Sequence, residues 1–204
     1  MRELLLTRHA ESEFNASGRI NADPKIPCAL TDRGEDQAGV LHELLAGEPI
    51  DLCVTSEHQR AIQTADIALA GREMARLVLS DLNEPMAGAL EGGTASAYDE
   101  RLRREGLNSP NPGGESQLDA LRRYVLAYRA LAIRDEPTIL VVAHSLPIGW
   151  LRSATAAIEG SDDELGVDFA RPGIEFAGPP DRYSTRALAR ATGVLEVYAR
   201  KERR

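Results

Sequence analysis

The chain has 204 residues, of which 43% are hydrophobic and 27% charged; this ordinary globular usage excludes wholesale disorder, collagen and coiled-coil classes and allows one core. Acidic residues outnumber basic ones 32 to 24, for a net charge of -8, which argues against a broad cationic face for nucleic acid and leaves any anion to a local pocket. No run approaches the ~20 apolar residues that span a bilayer, MRELLLTRHA is too short for a signal-peptide core, and Cys28 and Cys53 make neither a disulfide framework nor a metal motif. A cytoplasmic protein is therefore expected.

Residues 4–7 form a short apolar run, expected as a buried strand that delivers Arg8 and His9 to its carboxyl end. After a loop rich in Asn, Gly and Pro, Asp32 and Glu35 suit a capping box, and Ala38, Leu41 and Leu45 recur at helical spacing until about Gly47. Residues 51–55 read as a second strand. Ser56 and Gln59 form another box opening a helix to about Ala70, with Arg60 in its first turn. A weaker strand is expected over 76–79, then a loop carrying Glu84, Glu91 and Gly92-Gly93, and a short helix over 94–105. Pro110, Pro112, Gly113 and Gly114 mark a loop before a long helix with Leu118, Leu121, Val125, Tyr128 and Ala132 on one face. Residues 138–143 are the clearest buried strand, ending at His144, and Ser145 with Pro147 starts another helix. Residues 158–182 look like a loop and 194–198 like a closing strand.

Strands alternating with helices predict an α/β fold with a mostly parallel sheet covered on both faces. Sites in such sheets lie beyond the carboxyl ends of strands, and Arg8, His9, Arg60 and His144 all fall there. Arginine forks and helix amino ends suit a phosphate dianion. A neutral imidazole can attack phosphorus once its other nitrogen is held as N–H, and a carboxylic acid of raised pKa, for which Glu84 is the candidate, can protonate the leaving oxygen. No histidine–carboxylate spacing suggests a metal. His42 and His58 are expected to be exposed helix residues, Trp150 and Phe14 to be packing residues, and Arg101, Arg103 and Arg104 to be a solvated helix face.

Nearly the whole chain resembles the histidine phosphatase superfamily, the phosphoglycerate mutase-like family. Arg8-His9-Ala10-Glu11-Ser12 with Asn15 is similar to its Arg-His-Gly-Glu-Thr/Ser signature, and Leu30-Thr31-Asp32-Arg33-Gly34-Glu35-Asp36-Gln37-Ala38 to its Leu-Thr-x-x-Gly-x-x-Gln-Ala segment. Ser56 with Arg60-Ala61-Ile62-Gln63-Thr64-Ala65, the Leu82-Asn83-Glu84 loop, Gly113-Gly114-Glu115-Ser116 and His144 follow in the family's order. The resemblance implies a three-layer α/β/α sandwich over 1–204 as one domain, with a short cap insertion at about 85–112. It implies His9 as phosphorylated nucleophile, Glu84 as proton donor and then base, and Arg8, Arg60 and His144 as the phosphate clamp. Asn15 and Ser145 join as phosphate contacts. No metal and no organic cofactor are implied.

Departures from the pattern are Ala10 for Gly, Asn21-Ala22 where many members have a residue followed by Gly, a loop Gly88-Ala89-Leu90-Glu91-Gly92 without its aromatic residue, and Ser145-Leu146-Pro147 in place of Gly-Gly. The activity expected is hydrolysis of a small phosphorylated metabolite through phosphohistidine, with no nucleic-acid or membrane partner; oligomeric state is not readable. The alternatives are phosphoryl transfer as in cofactor-dependent phosphoglycerate mutases, a protein phosphohistidine phosphatase, or a non-catalytic phosphate-ligand module. The stretch from Glu84 to His144 lacks the long insertion of the mutases, which favours hydrolysis.

Overall fold

The structure, a computed structural model, describes residues 1, 3–159 and 174–201. Five strands, β1 (Glu3–Arg8), β2 (Leu52–Thr55), β3 (Ala75–Val78), β4 (Thr138–Ala143) and β5 (Asp181–Ser184), form one sheet in the order β3-β2-β4-β1-β5. The first four are mutually parallel and β5 is an antiparallel edge on β1. In-register pairing of Arg8 with Ala143 and of Thr55 with Val142 brings the carboxyl ends of β1, β2 and β4 to one rim.

Side-chain alternation assigns each strand residue to a layer. Leu4 and Leu6, Val54, and Ile139 and Val141 point to one face, covered by α5 (Gln117–Ala132), α6 (Ser145–Glu159) and α7 (Thr185–Lys201). Leu5, Cys53, Leu140 and Val142 point to the other, covered by α2 (Asp32–Leu44) and α3 (Gln59–Ala68). The result is the expected three-layer α/β/α arrangement. All six residues of β4 are buried, which is why its sequence is the plainest strand signal, whereas β3 is an exposed edge with a correspondingly weak one.

Two further α-helices are α1 (Glu13–Ala16) after β1 and α4 (Ala95–Glu105) beyond β3, with 3-10 turns at Ser80–Leu82 and Gly88–Leu90. Before α5, the chain from Met86 to Glu115, which contains α4, leaves the sandwich and returns through a closed neck. Ala89 N–H donates to Pro112 O at 2.8 Å and Glu115 N–H to Met86 O at 2.9 Å. A Cβ on Gly88 would lie 2.2 Å from Pro112 O, and one on Gly114 2.1 Å from Met86 O, so the two backbones meet only because both residues are glycine.

Several expectations need correction. Residues 194–198 are part of α7, not a closing strand: Leu188, Ala191, Leu195 and Ala199 are buried at helical spacing, and the edge is instead closed by β5. Helix α2 is capped by Thr31, whose Oγ1 accepts Gly34 N–H at 3.0 Å, with Asp32 already inside the helix. Ser56 does not cap α3, which starts at Gln59; its hydroxyl is bound elsewhere, as described below. The irregular stretch expected over 158–182 holds the end of α6 and the start of β5 at its margins, and most of its middle, Pro172 included, lies outside the described residues.

Candidate active site

At the end of β1, His9 is 2% exposed and its Nδ1 lies 2.7 Å from the Ala10 carbonyl. A carbonyl only accepts, so Nδ1 carries the proton and Nε2 the lone pair. That lone pair accepts a 3.1 Å hydrogen bond from Arg60 Nε. Burial first, then the neighbouring Arg60 and Arg8 guanidiniums, hold the His9 pKa well below its ordinary value, so the ring is neutral. The turn after it is fixed by residues of the recognised motifs: Thr64 Oγ1 accepts Ala10 N–H at 2.9 Å, Gln37 Oε1 accepts Glu11 N–H at 2.9 Å, and Gln63 Oε1 accepts Leu30 N–H at 3.0 Å. Gly34 packs directly on this turn, where a Cβ would sit 2.0 Å from Glu11 O.

Arg60, in the first turn of α3, is 4% exposed and ties the site together. Besides His9, it donates from Nη1 to Asn21 Oδ1 at 2.5 Å and to His58 Nδ1 at 3.1 Å, and from Nη2 to Asn21 O at 3.0 Å and His144 Nδ1 at 3.4 Å. Because guanidinium only donates, both Nδ1 atoms are acceptors. His144, fully buried at the end of β4, then gives its Nε2–H to Ser56 Oγ at 2.8 Å. Burial and Arg60 push the His144 pKa well below normal and that of His58 down to about 3.

Glu84 lies beside these rings, with Oε1 3.5 Å from His144 Nδ1. Burial raises its pKa against the opposing pull of Arg60 and Arg8, so the approach is a carboxyl beside a neutral imidazole rather than an ion pair. Its loop is fastened to α5: Arg123 donates to the carbonyls of Asp81 and Asn83, and Tyr124 Oη donates to Asn83 O at 2.9 Å. Glu115 of the Gly-Glu-Ser turn pairs with Arg123 at 2.6 Å and accepts Met86 N–H, while Ser116 caps α5 in a capping box with Asp119. Glu91 is spent on structure, accepting the Ala22 and Asp23 amides.

Arg8, His9, Asn15, Arg60, Glu84 and Ser145 all line one cavity of about 440 Å³, and His144 sits directly behind it against Arg60 and Glu84. Its outer wall includes Phe14, Ile20, Tyr98, Leu102 and Leu146. Asn15 Oδ1 is taken by Ser12 N–H and Oγ–H, so only its amide donors remain for a ligand. Arg8 donates from Nη1 to Ile174 O at 3.1 Å, its guanidinium carbon lies 3.8 Å from the Phe176 ring centroid, and its Nε is buried without a protein partner. Burial lowers its pKa to about 10.

Sequence reasoning missed four residues here. His58, expected on an exposed face, is 1% exposed and faces Arg60 and His144. Asn21, in a loop that departs from the family pattern, holds Arg60; Ser56 holds His144; and Phe176 stacks on Arg8. A helix N-cap histidine two residues before a buried arginine was the only available signal for His58. Phe14 lines the cavity and has Arg19 over its ring, whereas Trp150 is core packing as expected. His42 is half-buried and bonds Ala68 O. Arg101 turns away from the cavity to Asn111, Pro110 and Glu105, so it fastens the excursion rather than forming a solvated face.

Residues 4–168 match the family described as histidine phosphatase superfamily (branch 1). The chain belongs to the histidine phosphatase superfamily. Adenosylcobalamin/alpha-ribazole phosphatase of Salmonella typhimurium is 40% identical over 88 residues, 43% of either protein, so the match spans less than half of that relative. Glucosyl-3-phosphoglycerate phosphatase of Mycolicibacterium vanbaalenii is 31% identical over 176 residues, 78% of this chain and 75% of the relative. Among solved structures, Bacillus stearothermophilus YhfR superposes with a TM-score of 0.71 at 26% identity, over 86% of this chain and 87% of that one. Among the described residues no helix is long and apolar enough to cross a membrane.

Proposed function

We propose that the chain is a metal-independent phosphomonoesterase that hydrolyses a small phosphorylated metabolite through phosphohistidine at His9. One observation carries this reading: His9 Nδ1 is tied as a donor to Ala10 O, so an unprotonated Nε2 faces two arginines and a cavity that also holds Glu84. In the first step the Nε2 lone pair forms a bond to phosphorus, the bond from phosphorus to the leaving oxygen breaks, and Glu84 gives its proton to that oxygen. In the second, water attacks phosphorus, its proton goes to the Glu84 carboxylate, and the P–N bond breaks to return neutral His9 and free phosphate. Arg8 and Arg60 stabilise the equatorial oxygens, with His144, Asn15 and Ser145 as further contacts.

The named phosphatase relatives support hydrolysis over mutase transfer, and residues 85–112 serve as the cap of a single domain, with α4 and its flanks forming the leaving-group wall. The net charge supports a protein without a nucleic-acid partner. The test is phosphate release from a broad phosphomonoester panel with EDTA present. Wild-type release is expected to survive EDTA, and His9→Ala to lose at least ~10⁴-fold, as for a covalent nucleophile. Release indifferent to His9 overturns the assignment.

A further inference from the structure

The family match ends at residue 168, yet the segment 174–178 reaches the centre of the site. It is fastened to β1 by main-chain and hydroxyl bonds that do not involve the Arg8 side chain. Arg8 and Phe176 form a parallel bridge, Ala177 N–H donates to Arg8 O at 3.0 Å, and Thr7 Oγ1 donates to Gly178 O at 3.0 Å. Ala177 holds a left-handed φ of 45° while 3% exposed, a conformation unusual for a residue with a Cβ, and it is packed in the core beneath α2 and α3. The position of the Phe176 ring is therefore set by the backbone.

That ring covers one face of the Arg8 guanidinium, and Ile174 O takes one of its edge donors. An arginine side chain has several soft torsions and loses rotamer freedom when fixed. A carboxylate could fix it too, but would cancel the charge that an oxyanion needs; an aromatic face orients the cation and leaves its charge intact. We infer that Phe176 is a positioning residue that pre-orients Arg8 for the phosphoryl oxygens, giving the site an arginine clamp set from the carboxyl-terminal side of the chain. The inference rests on the phosphatase reading for the identity of the oxyanion.

The experiment is calorimetric binding of orthovanadate to the full chain, alongside ester hydrolysis, in wild type, Phe176→Leu, Phe176→Met and Phe176→Trp. A dissociation constant counts folded sites only, so loss of folded protein does not mimic loss of the clamp. Leu and Met are expected to weaken vanadate binding roughly tenfold to thirtyfold and Trp to restore it to within about threefold, because only Trp returns a π face. Wild-type affinity in Leu or Met, equal weakness in Leu, Met and Trp, or no vanadate binding by the wild type overturns the inference. Vanadate binding with the expected pattern but no hydrolysis of any ester upholds the clamp and sinks the phosphatase reading.

Discussion

The floor of the cavity and its outer wall are built in different ways. Floor residues His9, Arg60 and His144 are almost wholly buried, sit at strand ends or a helix start, and are cross-linked by hydrogen bonds spanning large sequence separations. The wall is drawn from Phe14 and Ile20 after β1, Leu146 of α6 and the excursion, in which α4 buries only Leu102 and presents Tyr98 half-exposed. A floor whose parts are fixed by sheet register can do one piece of chemistry only, while the α4 part of the wall can change without moving that chemistry.

The contrast breaks if changes in the two regions have similar consequences. The largest effect is expected from Arg60→Ala, which removes both the donor to His9 Nε2 and an oxyanion partner. kcat in steady-state hydrolysis should fall about 10²–10³-fold on every substrate, leaving the substrate ranking intact.

Next is the floor's response to acid. His9, His58 and His144 have folded-state pKa values below their unfolded values, so the unfolded chain binds more protons as pH falls. Stability is then lost progressively below about pH 6.5, by about 2 kcal/mol for each histidine that stays neutral at pH 5. Denaturant unfolding of His58→Leu at pH 8 and pH 5 should show a smaller acid loss than wild type, by about that amount; an unchanged difference would mean that His58 is protonated in the fold. The smallest effect belongs to the wall: Leu102→Ala should leave kcat on small esters within about threefold while reordering preference among larger leaving groups by about tenfold in kcat/KM, the range of methylene-scale pocket contacts. Equal loss on all substrates would instead tie the wall to the chemistry.

What the sequence made legible follows the same division. Residues whose roles are fixed by local pattern, such as the buried run of β4 or the one-sided apolar face of α5, were readable because period is local. Arg8, His9, Arg60, Glu84 and His144 were readable as a set because strand-end placement converges them and the family resemblance orders them. Ser56 and His58 were not: a Ser-x-x-Gln spacing satisfies capping chemistry equally well, and only the tertiary approach of His144 makes the hydroxyl more useful there. The apolar residues of α7 fit a short strand until their burial at 188, 191, 195 and 199 shows the longer period. Phe176 was invisible for a different reason, since its partner lies at the opposite end of the chain and no local signal marks a backbone bridge.

The glycine-sealed neck at Gly88 and Gly114 has an evolutionary corollary. The ends of the excursion are pinned to each other, and residues 91–95 are fastened to the loop 18–23, so the helix α4 beyond them is the part open to exchange. Lengthening it costs only about 0.6 kcal/mol per doubling in closure entropy, and Glu84, anchored on the far side of the neck by Arg123 and Tyr124, keeps its place. Sequence added within the α4 part of the excursion, beyond Glu91, can thus reshape the wall while Glu84 and the Glu91-held loop of Asn21 keep their places.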